Sequence, residues 1–256
     1  MSDPNLIHEK EMGLFEHLAE LRRCLVAIAL SVCAGAALTY GYSREIVAIL
    51  SKPYHDSFSN NLLIGTGPAE AFILHMKLAI FAGSLLASPM IFYQLWRFIA
   101  PGLYPPERKM VLPFVLVSTC LFIGGVVFCY HAVFPLAFGF FHDEYAVMGI
   151  TPTIRMSEHL SMIAQSMLAF GAVFELPVLA FFLGRAGIID APMLISGFRY
   201  AVIVIFIAAA IFTPPDVFSQ MAMAVPLMVL YGLSILIVKY FGKKKAVNEA
   251  APPPVN

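Results

Sequence analysis

The chain has 256 residues, 60% of them hydrophobic and only 12% charged, with a formal net charge of zero. Soluble domains carry about 25% charged residues, and a water-facing fold of this length cannot hide so much apolar side chain. Composition therefore excludes a soluble globular protein and puts the chain in a lipid bilayer, while the neutral balance says nothing about partners.

The first twenty residues are polar and acidic, which predicts no cleavable secretory leader ahead of the first span. Leu14, Leu18, Leu21 and Leu25 recur at helical spacing between charges, so residues 12–23 read as an amphipathic interfacial helix running into that span. Six apolar runs follow, at about 24–42, 72–92, 110–134, 160–183, 200–212 and 221–238. Crossing the hydrocarbon takes about 20 residues. The first four runs suffice, but thirteen residues from Tyr200 to Phe212 make a rod of about 20 Å against about 30 Å of hydrocarbon, short enough to thin the bilayer around it.

Six spans bring both termini to one side. That side carries Lys10, Arg22, Arg23, Arg97, Arg108, Lys109, Arg185, Arg199, Lys239 and Lys243 to Lys245, against Arg44, Lys52 and Arg155 opposite. The positive-inside rule makes it cytoplasmic. Phe92, Tyr93 and Trp96 fall where an aromatic belt is expected. The outer loops, 43–71 and 136–159, contain apolar residues and proline and are expected to form structured caps. Pro89, Pro113, Pro135, Pro177 and Pro226 punctuate several of these helices and predict kinks, hence a bent, concave wall. Residues 1–242 form one membrane domain, and 243–256 read as a disordered cytoplasmic tail.

Several polar residues stand out. Glu20 can pair with Arg23 one turn on, and Arg22 and Arg23 serve equally well as topology anchors. Glu107 follows Pro105-Pro106, where the macrodipole of a starting helix favours a carboxylate; held in a stiff loop, it could also meet a cationic ligand through paired hydrogen bonds. Glu175 lies near the middle of the fourth span, where a charge is costly and usually functional. Thr213-Pro214-Pro215-Asp216 is a tight turn with Asp216 placed to cap the last helix, and Gln220 could bond across to another helix. The cysteines (Cys24, Cys33, Cys120, Cys129) read as buried apolar side chains. Neither histidine spacing for a metal, nor a phosphate loop, nor a nucleophile with its base is present, so no cofactor, metal or catalytic centre is expected.

His17-Leu18-Ala19-Glu20-Leu21-Arg22-Arg23, Phe98-Ile99-Ala100-Pro101-Gly102-Leu103-Tyr104 with Glu107-Arg108, Phe134-Pro135-Leu136-Ala137-Phe138, Ala169-Phe170-Gly171 through Phe174-Glu175-Leu176-Pro177, and Thr213-Pro214-Pro215-Asp216 together resemble the TatC signature, in order, over residues 12–242. The resemblance implies an all-α, six-span, glove-shaped protein of the bacterial cytoplasmic membrane. That protein is the twin-arginine signal-peptide receptor of a translocase that moves folded proteins on the proton motive force. It implies that Glu20 and Glu107 bind the paired arginines of the signal peptide, with Arg22, Arg23 and Phe98 around them, and Cys24 where many relatives carry another base. It further implies docking of TatA-type and TatB-type single-span partners at Glu175, Thr213 and Gln220, next to Asp216, and self-association in the receptor complex. No nucleic-acid partner is expected. The rival reading is a proton- or ion-coupled secondary transporter using Glu175, with no internal repeat to support it.

Overall fold

The computed structural model describes residues 14–58, 63–99, 111–212 and 216–242. The chain runs α1 (Leu14–Tyr40), α2 (Ser43–Ser57), α3 (Glu70–Ile99), α4 (Val111–Phe128), a π turn (Cys129–Val133), α5 (Phe134–Met148), α6 (Met156–Phe174), α7 (Leu176–Arg185), α8 (Ala191–Phe212) and α9 (Val217–Phe241). Among the described residues, six segments are long and apolar enough to cross a membrane: Leu18–Tyr40, Glu70–Phe98, Leu112–Met148, Met156–Arg185, Ala191–Ile211 and Val217–Phe241. The tail from 243 onward lies outside the described residues.

The helices overrun the apolar stretches that announce them. α1 is continuous from the amphipathic segment into the span, because nothing between Leu21 and Val26 breaks a helix. α8 has 22 residues rather than thirteen, about 33 Å long: Arg199 interrupts the apolar run but not the backbone ladder, so the helix is long although its apolar belt is short. The third span reaches 37 residues, about 55 Å. Pro135 has no N–H to give the ladder below it, and the chain takes a wider π turn there before continuing. Most of the second outer loop is thus helix α5, ended by Gly149 in the left-handed conformation (φ 63°).

One end of the bundle is capped by α2 and α5. Tyr54 is fully buried there between Phe58, Phe138 and His159, and the Tyr130 hydroxyl in the π turn donates to the Ile49 carbonyl at 2.7 Å. Ile64 exchanges backbone hydrogen bonds with Ile154 and Met156. The Glu70 carboxylate gathers the Gly67 N–H (3.1 Å) and the Ser157 N–H and hydroxyl, joining the start of α3 to the start of α6.

Between this cap and the other, open end, α1 lies chiefly on α3. An added Cβ on Gly35 would stand 2.5 Å from the Gly83 carbonyl oxygen, so the two backbones touch, and Thr39 Oγ1 donates to the Ala79 carbonyl at 2.9 Å across the same crossing. Gly125 and Gly171 allow a similar approach of α4 to α6. Cys24 and Cys129 are buried as expected, but Cys33 and Cys120 face outward. The aromatic belt is corrected too: Tyr93 is exposed, whereas Phe92 and Trp96 are buried against Val115 and Val178.

Candidate functional site

At the open end α1 and α3 enclose a cavity of about 280 Å³ lined by Glu20, Arg23, Cys24 and Ala27 from α1 and Gln94, Arg97 and Phe98 from α3. Spacings of three and four residues put each set on one helix face, and the antiparallel crossing turns the two faces toward each other. Glu20 Oε2 is shut off from solvent yet has no hydrogen-bond partner among the described residues. The pairing with Arg23 that sequence spacing allows does not form, and no described ion pair joins Glu20 to Arg97. A shielded carboxylate oxygen without a donor is costly, and this one is free to accept from a donor brought into the cavity.

A second cavity, of about 400 Å³, is almost wholly apolar and lies between α3, α4, α6 and α7. Its lining includes Ser88, Trp96, Phe122 and Glu175. Glu175 is not inside a continuous helix. It is the turn residue between α6 and α7 (φ −76°, ψ −12°), because Pro177 cannot donate to the Val173 carbonyl. The side chain is 7% exposed. Trp96 Nε1 donates to Ser118 Oγ at 3.1 Å. Ser118 is closed to solvent, and the buried Glu175 Oε1 is without a partner among the described residues. α3 lines both cavities: Gln94, Arg97 and Phe98 face the first, Phe92, Leu95 and Trp96 the second.

At the junction of α8 and α9, Asp216 caps α9 by accepting the Ser219 N–H at 2.7 Å. Gln220 Nε2 donates to the Phe206 carbonyl at 3.1 Å, so its amide ties α8 to α9 within this chain. On the other side of α9 an apolar groove of about 370 Å³ runs along Phe128, Ala132, Leu136, Phe218, Met221 and Val225.

Comparison with known proteins matches residues 16–226 to the family model of the Sec-independent protein translocase protein TatC. The chain belongs to the TatC family. The TatC of Magnetococcus marinus is 39% identical over 249 residues, covering 96% of this chain and 91% of the relative. That of Carboxydothermus hydrogenoformans is 37% identical over 244 residues, covering 95% and 99%. A crystal structure of the twin-arginine translocase receptor TatC superposes with a TM-score of 0.80 at 34% identity, over 87% of this chain and 98% of the other. A second, in DDM, gives 0.82 over 88% and 100%. The nearly all-helical, six-span membrane architecture is thus that of the TatC family, a protein-transport family rather than an enzyme family.

Of the residues singled out for signal-peptide binding, the fold brings Glu20, Arg23 and Phe98 to one cavity. Arg22 is exposed and off its lining; its neighbours Arg23 and Cys24 take the inner face. Glu107 and Thr213 lie outside the described residues. The residues named for partner docking do not converge: the Glu175 cavity has no residue from α9, and Gln220 faces α8. Sequence reasoning misses Gln94 and Arg97. Their spacing to Phe98 is readable, but in the sequence Arg97 counts only as a topological charge.

Proposed function

We propose that the open-end cavity takes up arginine side chains of a twin-arginine signal peptide, and that the chain is the receptor and core subunit of a translocase carrying folded proteins across the bacterial cytoplasmic membrane. The observation that carries this reading is the shielded, partnerless oxygen of Glu20 between α1 and α3. Guanidinium and carboxylate pair through two parallel N–H···O bonds, strongly where water is partly excluded. One carboxylate faces two resident guanidiniums, Arg23 and Arg97. A dicationic guest therefore needs a second acid, and Glu107, on the chain that follows α3, is that acid in this reading.

The open end faces the cytoplasm with both termini, in keeping with the bias of Lys and Arg. TatA-type and TatB-type single-span proteins are the partners, and the receptor self-associates. Glu175 beside its apolar cavity, and the groove along α9 next to Asp216 and Gln220, are two separate docking places for partner helices; Thr213 belongs with the second. Transport draws on the proton motive force. The solute-transporter reading has only Glu175 to rest on and nothing in the comparisons favours it.

The test is affinity for a labelled twin-arginine peptide in detergent. Glu20→Ala and Glu107→Ala are each expected to weaken it by tenfold or more, on the order of the 1.5–3 kcal/mol of a hydrogen bond to a charged group. Unchanged affinity in both variants refutes the clamp.

A further inference from the structure

We propose that Arg199 is a lipid-phosphate site: its guanidinium, on the outer face of α8, holds a phospholipid headgroup well below the level at which the rest of the open end leaves the bilayer. The depth follows from helix register. α8 and α9 run antiparallel, with the Tyr231 hydroxyl donating to the Leu194 carbonyl at 2.9 Å and Gln220 Nε2 to the Phe206 carbonyl at 3.1 Å. Both pairs set residue 199 opposite the neighbourhood of Pro226. α9 reaches the open end twelve to fifteen residues later, where Val238 packs on Gly184 and Phe241 on Phe181, and Lys239 is its first charge. Thirteen residues from Pro226 to Lys239 are about 20 Å of helix, a large part of the roughly 30 Å hydrocarbon thickness.

The surroundings are apolar on both sides. Met193, Ile195 and Phe198 are exposed toward the open end of α8, and Ile203, Val204 and Ile207 toward its other end. Arg199 is itself exposed. Its described partners are neutral: Nη2 donates to the Tyr200 hydroxyl at 2.8 Å, and Cζ stands 4.6 Å above the Tyr200 ring. No carboxylate pairs with it among the described residues. Asp190, the acid immediately before its helix, accepts the Met193 N–H at 2.8 Å.

A guanidinium stays charged at any physiological pH, and one in an apolar belt needs an anion. It has five donors in a fixed fork, of which Tyr200 takes one, and the fork matches a phosphate through two parallel bonds. A lipid headgroup is the anion every bilayer offers at an outward-facing helix, and a long side chain can reach it while its stem stays in hydrocarbon. The apolar belt left to α8 is then Tyr200–Phe212, and the bilayer dips to meet it. Tyr200, amphipathic and next to the charge, suits the interface this creates.

The experiment is carbon–phosphorus dipolar dephasing by solid-state NMR. The full chain, carrying ¹³C-arginine, is reconstituted in phosphatidylglycerol–phosphatidylethanolamine vesicles in phosphate-free buffer, so that lipid is the sole source of phosphorus. The Arg199 signal is the difference between the wild type and Arg199→Gln. Where that variant fails to insert, Arg199→Lys, which keeps the charge and lacks the labelled carbon, replaces it. The difference signal is expected to dephase as for a phosphorus at about 4 Å, the separation that paired hydrogen bonds impose. A difference signal without dephasing overturns the proposal. So does dephasing that disappears once a single-span partner protein is co-reconstituted, which would give the guanidinium to a protein carboxylate. Twin-arginine peptide binding is expected to be unchanged in both variants, so this test and that of the receptor reading fail independently.

Discussion

Replacing Gly35 by alanine tests whether the α1–α3 crossing holds the recognition cavity together. The new Cβ would lie 2.5 Å from the Gly83 carbonyl oxygen and 3.0 Å from its Cα. Both are backbone atoms and cannot swing aside, and comfortable contacts begin near 3.5 Å, so the helices must part by about 1 Å at that point. Overpacking of this kind costs about 1–3 kcal/mol. Stretching the Thr39–Ala79 hydrogen bond adds to it, by up to about 1 kcal/mol. Little else restrains α1, most of whose residues are not buried. The cost therefore falls on the pair of helices that form the walls around Glu20, Arg23, Gln94 and Arg97. At tenfold per 1.4 kcal/mol, Gly35→Ala is expected to weaken twin-arginine peptide binding by roughly fivefold to several hundredfold. Fluorescence anisotropy with the detergent-solubilised chain measures this, alongside its thermal unfolding. Gly124→Ala, where an added Cβ meets nothing within 4 Å, serves as the control and is expected to change neither. Wild-type affinity together with an unchanged melting curve in Gly35→Ala would refute the reasoning.

Three further outcomes follow from the same geometry. Ser118→Ala removes the acceptor of Trp96 and strands a buried indole N–H; a loss of about 1–3 kcal/mol is expected, read by thermal unfolding and by a shift in the fluorescence of Trp96, the sole tryptophan. Glu70→Ala unties the first outer loop from the start of α6. Hydrogen exchange at the Ile64 and Met156 amides should accelerate while the α4 and α6 core stays protected, and protection at those two amides equal to that of the wild type would contradict the role given to Glu70. Asp216→Ala deletes the cap of α9 and is expected to destabilise by about 0.5–2 kcal/mol in a denaturant series, without altering peptide affinity.

The membrane class and the six spans are legible in the sequence because six apolar runs, four of them about 20 residues or longer, can be accommodated only in hydrocarbon. Helix ends are less legible. Lipid-facing hydropathy marks where hydrocarbon begins, not where backbone hydrogen bonding stops, and α8 shows the gap: its ladder passes through Arg199 without interruption. Pro177 announces the break at Glu175, since a missing N–H is a local event. The Gly35–Gly83 contact is not legible, because the two glycines become neighbours only once α1 folds back on α3. Trp96 misleads for a related reason. An indole near a span end suits an interfacial belt until the fold supplies Ser118, 22 residues on, as its acceptor. Glu20, Arg23 and Phe98 are reached through motif resemblance. The part of Gln94 and Arg97 comes only from seeing two helix faces meet.

The most direct measurement is a double-mutant cycle across the recognition contact, pairing Glu20→Gln in the receptor with Arg→Gln at each arginine of the peptide. A guanidinium seated on the partnerless Glu20 oxygen predicts a coupling of about 1.5–3 kcal/mol with one of the two arginines. Strictly additive losses for both would mean that Glu20 and the signal peptide never touch.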